Sequence, residues 1–402
     1  IVWQDRRTHD RCQALRRAGH EAEIRRRTGL VLDPYFSATK VEWLLRADPQ
    51  RRAAARRGAL AFGTVDSWLI WKLTGGTVHA TDPTNASRTM LYDIRARRWS
   101  DSLLARFGVP AGVLPEVRAS SGDFGRTRGV GFVPDGIPIA GVAGDQQAAL
   151  FGLGCVAAGA SKNTNGTGAF LLLHTGTRAV ASSAGLLTTV ACGPRGEIAY
   201  ALEGSVFIAG AAMQWLRDGL GLIRNAAESE AMARSVPDSG GVMMVPAFVG
   251  LGAPHWRSDV RGAIFGLTRG TTRAHIVRAA LESLAFQSCD LVTAMERDSR
   301  TRVRHLRVDG GAAANSFLMQ LQADLLGVPV ERPRVIETTA LGAALLAGLG
   351  VGFWKSHREV ERAREVERVF KPGKPAEWRR GEMKKWSVAV RTLLAGQREW
   401  AL

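Results

Sequence analysis

A chain of 402 residues with 46% hydrophobic content is long enough for two domains and apolar enough to fill their cores, which excludes a disordered polypeptide. A formal net charge of +17, much of it arginine, favours anionic ligands such as nucleotides. No zinc-ligand spacing, RNA-binding motif or aromatic-interleaved basic stripe accompanies that charge, which argues against nucleic acid as a partner, and no apolar run reaches membrane-span length.

Ile1-Val2-Trp3 reads as the tail of a buried strand, so the chain is expected to start inside a domain. Residues 6–28 read as basic helix broken at Gly19, with arginines such as Arg16, Arg17, Arg25 and Arg26 forming solvated faces. After a turn at Asp33-Pro34-Tyr35, Ser37 is placed to cap a helix bearing Val41, Leu44 and Leu45. The next helix begins near Thr64, carries Trp68, Leu69, Trp71 and Leu73 on its face, and stops at Gly75-Gly76. Ser100 caps a short helix through Leu103 and Leu104. Residues 137–143 read as a buried strand with Pro138 near its start, and residues 146–151 as the helix that follows.

A domain boundary is expected near residue 155. Short strands at about 168–174, 186–192 and 198–203 suggest a meander, and a helix after Gly204 runs through Trp215 and Leu216. The longest helix spans about Ala274 to Arg297, with Ile276, Ala280, Leu284, Leu291 and Met295 in a stripe. A strand at 305–308, a helix bearing Phe317, Leu318, Leu321 and Leu325, and a small-residue helix from Thr339 to Leu349 complete the second unit. A charged tail after Trp354 ends in an amphipathic helix with Trp386, Val390, Leu393 and Leu394. Strands alternating with helices in two successive units imply an α/β protein whose two domains enclose a cleft.

Three glycine turns carry the chemistry: Gly144-Asp145-Gln146-Gln147, Asn163 to Gly168, and Asp309 to Asn315. Bare backbone at such a turn can approach a phosphate, and a following helix N-terminus offers free N–H groups. Asp145 is the strongest single candidate, because a carboxylate at the end of a strand can accept a hydroxyl proton during phosphoryl transfer. Asp at that position also serves as a helix cap, and the two readings stand level. Gly166-Thr167-Gly168, lying between strands, reads first as a plain hairpin turn and only second as a phosphate contact. With no Walker-type loop and no Gly-x-Gly-x-x-Gly, the P-loop and Rossmann classes lose support. Trp3 and Tyr35 default to core packing. Cys12, Cys155, Cys192 and Cys289 stand at no metal or redox spacing and read as free thiols in a reducing, cytoplasmic compartment.

Several segments resemble the FGGY carbohydrate kinase family. Tyr35 to Leu44 (YFSATKVEWL) looks like its first signature. Gly262 to Leu267 (GAIFGL), with His275-Ile276 and Ala279 to Glu282 beyond it, looks like its second. Trp3 to Thr8, Gly63 to Leu69, Thr84 to Arg88 and Gly144 to Gln147 are similar to the glycerol-phosphorylating members in particular, and the likeness runs from Ile1 to about Trp354.

The resemblance implies the actin-like, ribonuclease-H-like ATPase fold, α/β, with two domains around a nucleotide cleft. It implies a partial, polyol-binding N-terminal domain over 1–155, a nucleotide-binding C-terminal domain over 156–354, and a helical tail over 355–402. The implied reaction is ATP-dependent phosphorylation of glycerol to sn-glycerol 3-phosphate with Mg²⁺ on the nucleotide and Asp145 as general base. Trp3, Tyr35, Asp145, Gln146 and Phe170 match glycerol-binding positions. Thr167, Gly168, Gly210, Gln214, Gly311 and Asn315 match ATP-binding positions. No protein metal ligand is assigned, and a homo-oligomer, dimer or tetramer, is implied.

The family's first phosphate-binding hairpin is expected upstream of Ile1, so this chain is expected to have low activity. The loop from Gly122 to Gly131 lacks the glycine-lysine-glycine pattern linked to sugar-bisphosphate regulation in some relatives. Two alternatives stay open. One is a family member acting on a pentulose or larger polyol, against which Trp3 and Phe170 favour the small triol. The other is a non-catalytic, basic nucleotide- or nucleic-acid-binding protein, against which the Asp145 cluster argues.

Overall fold

The computed structural model describes residues 1–257 and 259–396. A seven-stranded mixed sheet carries the second half of the chain. Its strands are β1 (Ser161–Asn165), β2 (Ala169–Gly176), β3 (Leu187–Cys192), β4 (Ile198–Val206), β5 (Leu306–Asp309), β6 (Val330–Pro333) and β7 (Val366–Phe370). They lie in the order β7-β6-β5-β1-β2-β4-β3. Strands β1 and β2 form a hairpin, and β5 runs parallel to β1, pairing Asp309 with Thr164. The three expected strands are present, but not as a simple meander: β4 inserts between β2 and β3, because the link from Gly176 to Leu187 is long enough to step over a strand. The tail is not wholly helical either. Its β7 pairs antiparallel with β6 and extends the sheet edge.

Helices cover the sheet. They include α1 (Asp145–Gly152), α2 (Gly210–Gln214), α3 (Arg273–Ser299), α4 (Ser316–Leu326), α5 (Thr338–Gly350) and α6 (Ala376–Gly396). In α3 the expected stripe is buried from Ala280 through Leu284 and Leu291 to Met295. The tail helix α6 buries Trp386, Val390 and Leu393; Trp386 stacks on Phe286 of α3 at 5.3 Å, and its indole N–H donates to Asp290 at 2.7 Å. Helices α1 and α5 pack backbone to backbone. A Cβ on Gly342 would lie 1.9 Å from the Ala148 carbonyl oxygen, and one on Gly152 would lie 2.3 Å from that of Thr338.

The first half builds its own core from Cys12, Leu15, Ile24, Leu30, Phe36, Leu103 and Phe107, with Leu187 of β3 packed in from the large sheet. Helices His9–Arg17 and Glu21–Thr28 flank Gly19, which takes φ +77°. Several basic side chains there are ion-paired, as in Arg16–Glu21 and Arg27–Glu23.

Four expectations fail. Ile1, Val2 and Trp3 are exposed and, among the described residues, pair with no strand. Residues 137–143 make only isolated bridges, Arg126 with Pro138 and Ser121 with Gly141, because the run pairs with an irregular loop rather than a strand. Ser37 and Ser100 precede their helices without a side-chain capping bond; Ser37 already has helical dihedrals, which turn its hydroxyl away from the cap position. On the helix Val65–Leu73, Ile70 and Ser67 face inward while Trp68 is 59% exposed, so the aromatic face points outward. Among the described residues no helix is long and apolar enough to cross a membrane.

Candidate active site

Cross-strand register puts a row of polar side chains on one face of the sheet. Lys162 and Thr164 are two apart on β1 and therefore share a face. Thr164 pairs with Phe170, Lys162 with Leu172, and Leu172 in turn with Glu203 of β4, so Phe170 and Glu203 lie on that same face. Asp309, the partner of Thr164 on β5, joins them.

The N-terminus of α1 sits over this row. Gly144 holds the cap position, and Asp145 is the first helical residue, exposed to solvent. The cap reading of Asp145 therefore does not hold in its usual form. Its Oδ1 accepts from the adjacent Gln146 backbone N–H at 2.8 Å, and its Oδ2 lies 3.3 Å from Gln146 Nε2. Behind Gln146, the Lys162 ammonium donates to Gln146 Oε1 at 2.5 Å and to Thr164 Oγ1 at 2.6 Å. Burial pushes Lys162 below the ordinary lysine range, opposed by the fields of Asp309, Glu203 and Asp145. Gln147 points the other way and donates to Thr189 at 2.9 Å, which makes it an anchor of the helix rather than a ligand contact.

An aromatic wall stands beside these groups. Trp3, 56% exposed, lies 5.4 Å from the Tyr35 ring, which meets Phe36 edge-on at 5.0 Å. Arg88 lies over Tyr35 and Phe36 at 5.8 and 5.4 Å and makes a bidentate pair with Glu203, both bonds 2.9 Å. Burial pushes the Tyr35 hydroxyl above its ordinary value, against the opposing field of Arg88. Burial works against the Arg88 charge, yet Glu203 and Tyr35 outweigh it and hold the guanidinium above its usual value. Arg88 and Glu203 thus tie the first half of the chain to the sheet.

The two remaining glycine turns touch each other. Gly310 takes φ +80°, and a Cβ there would lie 2.7 Å from the Asn165 carbonyl oxygen. At the β1–β2 turn, Gly210 N–H donates to the Gly166 carbonyl at 3.0 Å, and a Cβ on Gly168 would meet the Val206 oxygen at 2.7 Å. Thr167 is exposed, and its carbonyl accepts from the backbone N–H groups of Ala209 and Ala211. Gln214 is exposed at the end of α2, and Gly311 has open space where a Cβ would stand. At Gly310, Gly168 and Gly210 the missing side chain lets the turns pack backbone to backbone, and of these turn glycines Gly311 leaves open space. Asn315 caps α4, accepting from Leu318 N–H at 2.9 Å and donating to Ser229 at 3.2 Å. Among the described residues no group of three or more His, Cys, Asp or Glu is placed to hold a metal ion.

Contacts thus link Asp145 through Gln146 and Lys162 to Thr164, the cross-strand partner of Phe170, and Trp3 to Tyr35, while the turns at Gly166–Gly168, Gly210 and Gly310 meet one another. Sequence reasoning assigned no role to Lys162 or Glu203, and it named Thr164 and Asp309 only as members of the second and third glycine turns. The available signal was polarity in strand-like surroundings, as with Glu203 after Ile198 to Leu202 and Lys162 within Ser161 to Asn165.

Residues 1–152 match the N-terminal domain of the FGGY family of carbohydrate kinases, and residues 162–351 match its C-terminal domain. A glycerol kinase of Azotobacter vinelandii is 58% identical over 402 residues, all of this chain and 79% of the relative. A glycerol kinase of Xanthomonas campestris pv. campestris is 56% identical over 390 residues, 97% of this chain and 78% of the relative. Among solved structures, Plasmodium falciparum glycerol kinase with ADP superposes with a TM-score of 0.93 at 37% identity, covering 98% of this chain and 79% of that one. A Lactobacillus acidophilus xylulose kinase, at a TM-score of 0.87 and 20% identity over 98% of this chain and 79% of that one, shares the fold. These structural neighbours carry the two-domain, actin-like and ribonuclease-H-like fold, and this chain adopts it. With both domains matched and more than half of all residues shared with such relatives, the chain belongs to the FGGY family of carbohydrate kinases.

Proposed function

We propose that this chain phosphorylates glycerol with ATP to give sn-glycerol 3-phosphate, and that Asp145 is its general base. The observation that carries this reading is the exposed Asp145 carboxylate, held by the Gln146 backbone N–H beside the Trp3–Tyr35 wall. The near relatives named as glycerol kinases, at 56–58% identity, point to the same substrate.

The carbon backbone of the triol packs on Trp3, Tyr35 and Phe170, while Asp145 and Gln146 take its hydroxyls. ATP brings the transferable phosphoryl group, and a magnesium ion accompanying it screens the phosphate charge. Asp145 removes the proton from the attacking hydroxyl; the fixed Oδ1 keeps the carboxylate from turning away. Thr167, Gly168, Gly210, Gln214 and Gly311 line the nucleotide side, where bare backbone N–H groups meet phosphate oxygens. Asn315 contributes by capping α4 next to that turn. Four buried free thiols suit a reducing cytoplasm, and the family resemblance implies a homodimer or tetramer.

The test is glycerol-dependent ADP release by this chain against its Asp145→Asn variant. A general base of this kind contributes about 10²–10⁴-fold, so the variant's rate falls by that factor while ATP affinity is retained. An unchanged rate removes Asp145 from the chemistry, and turnover of a pentulose in preference to glycerol moves the substrate.

A further inference from the structure

Lys162 is the least expected group at this site. It is 0% exposed, and its ammonium lies between the polar face of β1 and the first turn of α1. An ammonium can only donate hydrogen bonds, so whatever faces it must be an acceptor. A glutamine amide has two ends of nearly the same shape and opposite hydrogen-bonding character. With the ammonium 2.5 Å from Gln146 Oε1, the reversed amide would set donor against donor. The lysine therefore decides which end of Gln146 faces outward.

We propose that Lys162 is a positioning residue whose ammonium locks the Gln146 amide with its NH₂ group toward Asp145 and the bound polyol. The proposal rests on the glycerol site described above. Its consequence is a direction of donation. One Gln146 hydrogen points toward Asp145 Oδ2, at 3.3 Å, and the other is free for the oxygen of a substrate hydroxyl. That hydroxyl already accepts a hydrogen bond, so its own proton is left for Asp145. Reversed, Gln146 Oε1 would compete with the carboxylate for this proton. Thr164 Oγ1, the second acceptor at 2.6 Å, fixes the ammonium from the strand side. Burial works against the Lys162 charge and holds the group below the ordinary lysine range, with the fields of Asp309, Glu203 and Asp145 opposing that shift.

The experiment is a double-mutant cycle on glycerol binding, measured by calorimetry with this chain, together with NMR of the Gln146 side-chain amide. Lys162→Met keeps the apolar stem and removes the donor. It is expected to weaken glycerol binding about tenfold, and adding Gln146→Ala to it is expected to change affinity by no more than about twofold further. Fully additive losses would show that Lys162 acts elsewhere and would overturn the proposal. A purely structural lysine would lower the urea midpoint yet leave the two losses additive.

The NMR arm needs no ligand. The Gln146 side-chain resonance, assigned by its loss in Gln146→Ala, is expected to shift in Asp145→Asn and to move toward the position of a solvated glutamine in Lys162→Met. A resonance indifferent to Asp145→Asn means the NH₂ group does not face the carboxylate, and the proposal fails even if Lys162→Met does not fold. Absence of any glycerol binding would defeat the substrate reading alone, with the amide resonance still deciding the role of Lys162.

Discussion

Glu203 shows how a single buried charge organises the polyol side of the site. Its side chain is 2% exposed and receives both guanidinium N–H groups of Arg88, which in turn lies over Tyr35 and Phe36. Removing one partner from such a pair leaves the other charge buried without compensation. Glu203→Gln, which keeps shape but loses charge, is expected to lower unfolding free energy by about 3 kcal/mol in urea titrations. Glycerol affinity falls with it, since Arg88 no longer fixes the ring that faces the substrate. A variant with an unaltered midpoint would mean that solvent compensates Arg88 and that the pair is not the tie between the two halves.

The first turn of α1 owes its position to α5. The two helices touch through Gly152 and Gly342, whose missing side chains let backbone meet backbone. Gly342→Ala introduces a methyl group 1.9 Å from the Ala148 carbonyl oxygen, so α1 must shift or tilt. Overpacking of this kind costs about 1–3 kcal/mol. The shift is carried to Asp145 and Gln146 at the helix start, so glycerol affinity falls as well as stability. Calorimetry and a urea titration on the same variant check both; stability loss with unchanged glycerol binding would separate the helix contact from the site. The small-residue pattern of residues 339–349 was legible in the sequence as a close-packing helix. Its partner was not, because two helices separated by most of the second domain meet through residues that carry no side-chain signal.

For the molecule as a whole, the four thiols set a limit on alkaline stability. Burial raises Cys12 and Cys155 to about 11 and Cys192 to about 12 from an ordinary value of 9.0, and it raises Cys289 as well. In the unfolded chain these thiols ionise near 9.0, while the native chain keeps its protons longer. The corresponding stability is complete below pH 9 and is lost as pH rises from there toward 11 and 12. Lys162 and Lys40, shifted down by burial, work in the opposite direction, while Tyr35 and Tyr92, raised by burial, act with the four thiols. Unfolding free energy at pH 10 is expected to fall below its value at pH 8 by on the order of 1 kcal/mol per thiol. Cys155→Ser should make the fall shallower. A urea midpoint that is flat between these two pH values would refute the account.

By itself the sequence determined the local elements: the helix from Arg273 to Ser299 by its apolar stripe, the strands near 169, 187 and 198, and the turns at Gly166–Gly168 and Gly310–Gly311. It also singled out Asp145 and Gln146, because a carboxylate and an amide at a glycine turn before a helix are a local pattern. The tertiary structure alone decided the company they keep. Lys162, Phe170, Glu203 and Asp309 reach one face through the register of four strands drawn from distant parts of the chain, and no local period encodes that register. The same holds for strand β7, whose charged residues read as tail until β6 supplies the hydrogen bonds that make them a sheet edge. Propensity and pattern are properties of neighbours in sequence; burial of a charge and the choice of its partner are properties of neighbours in space.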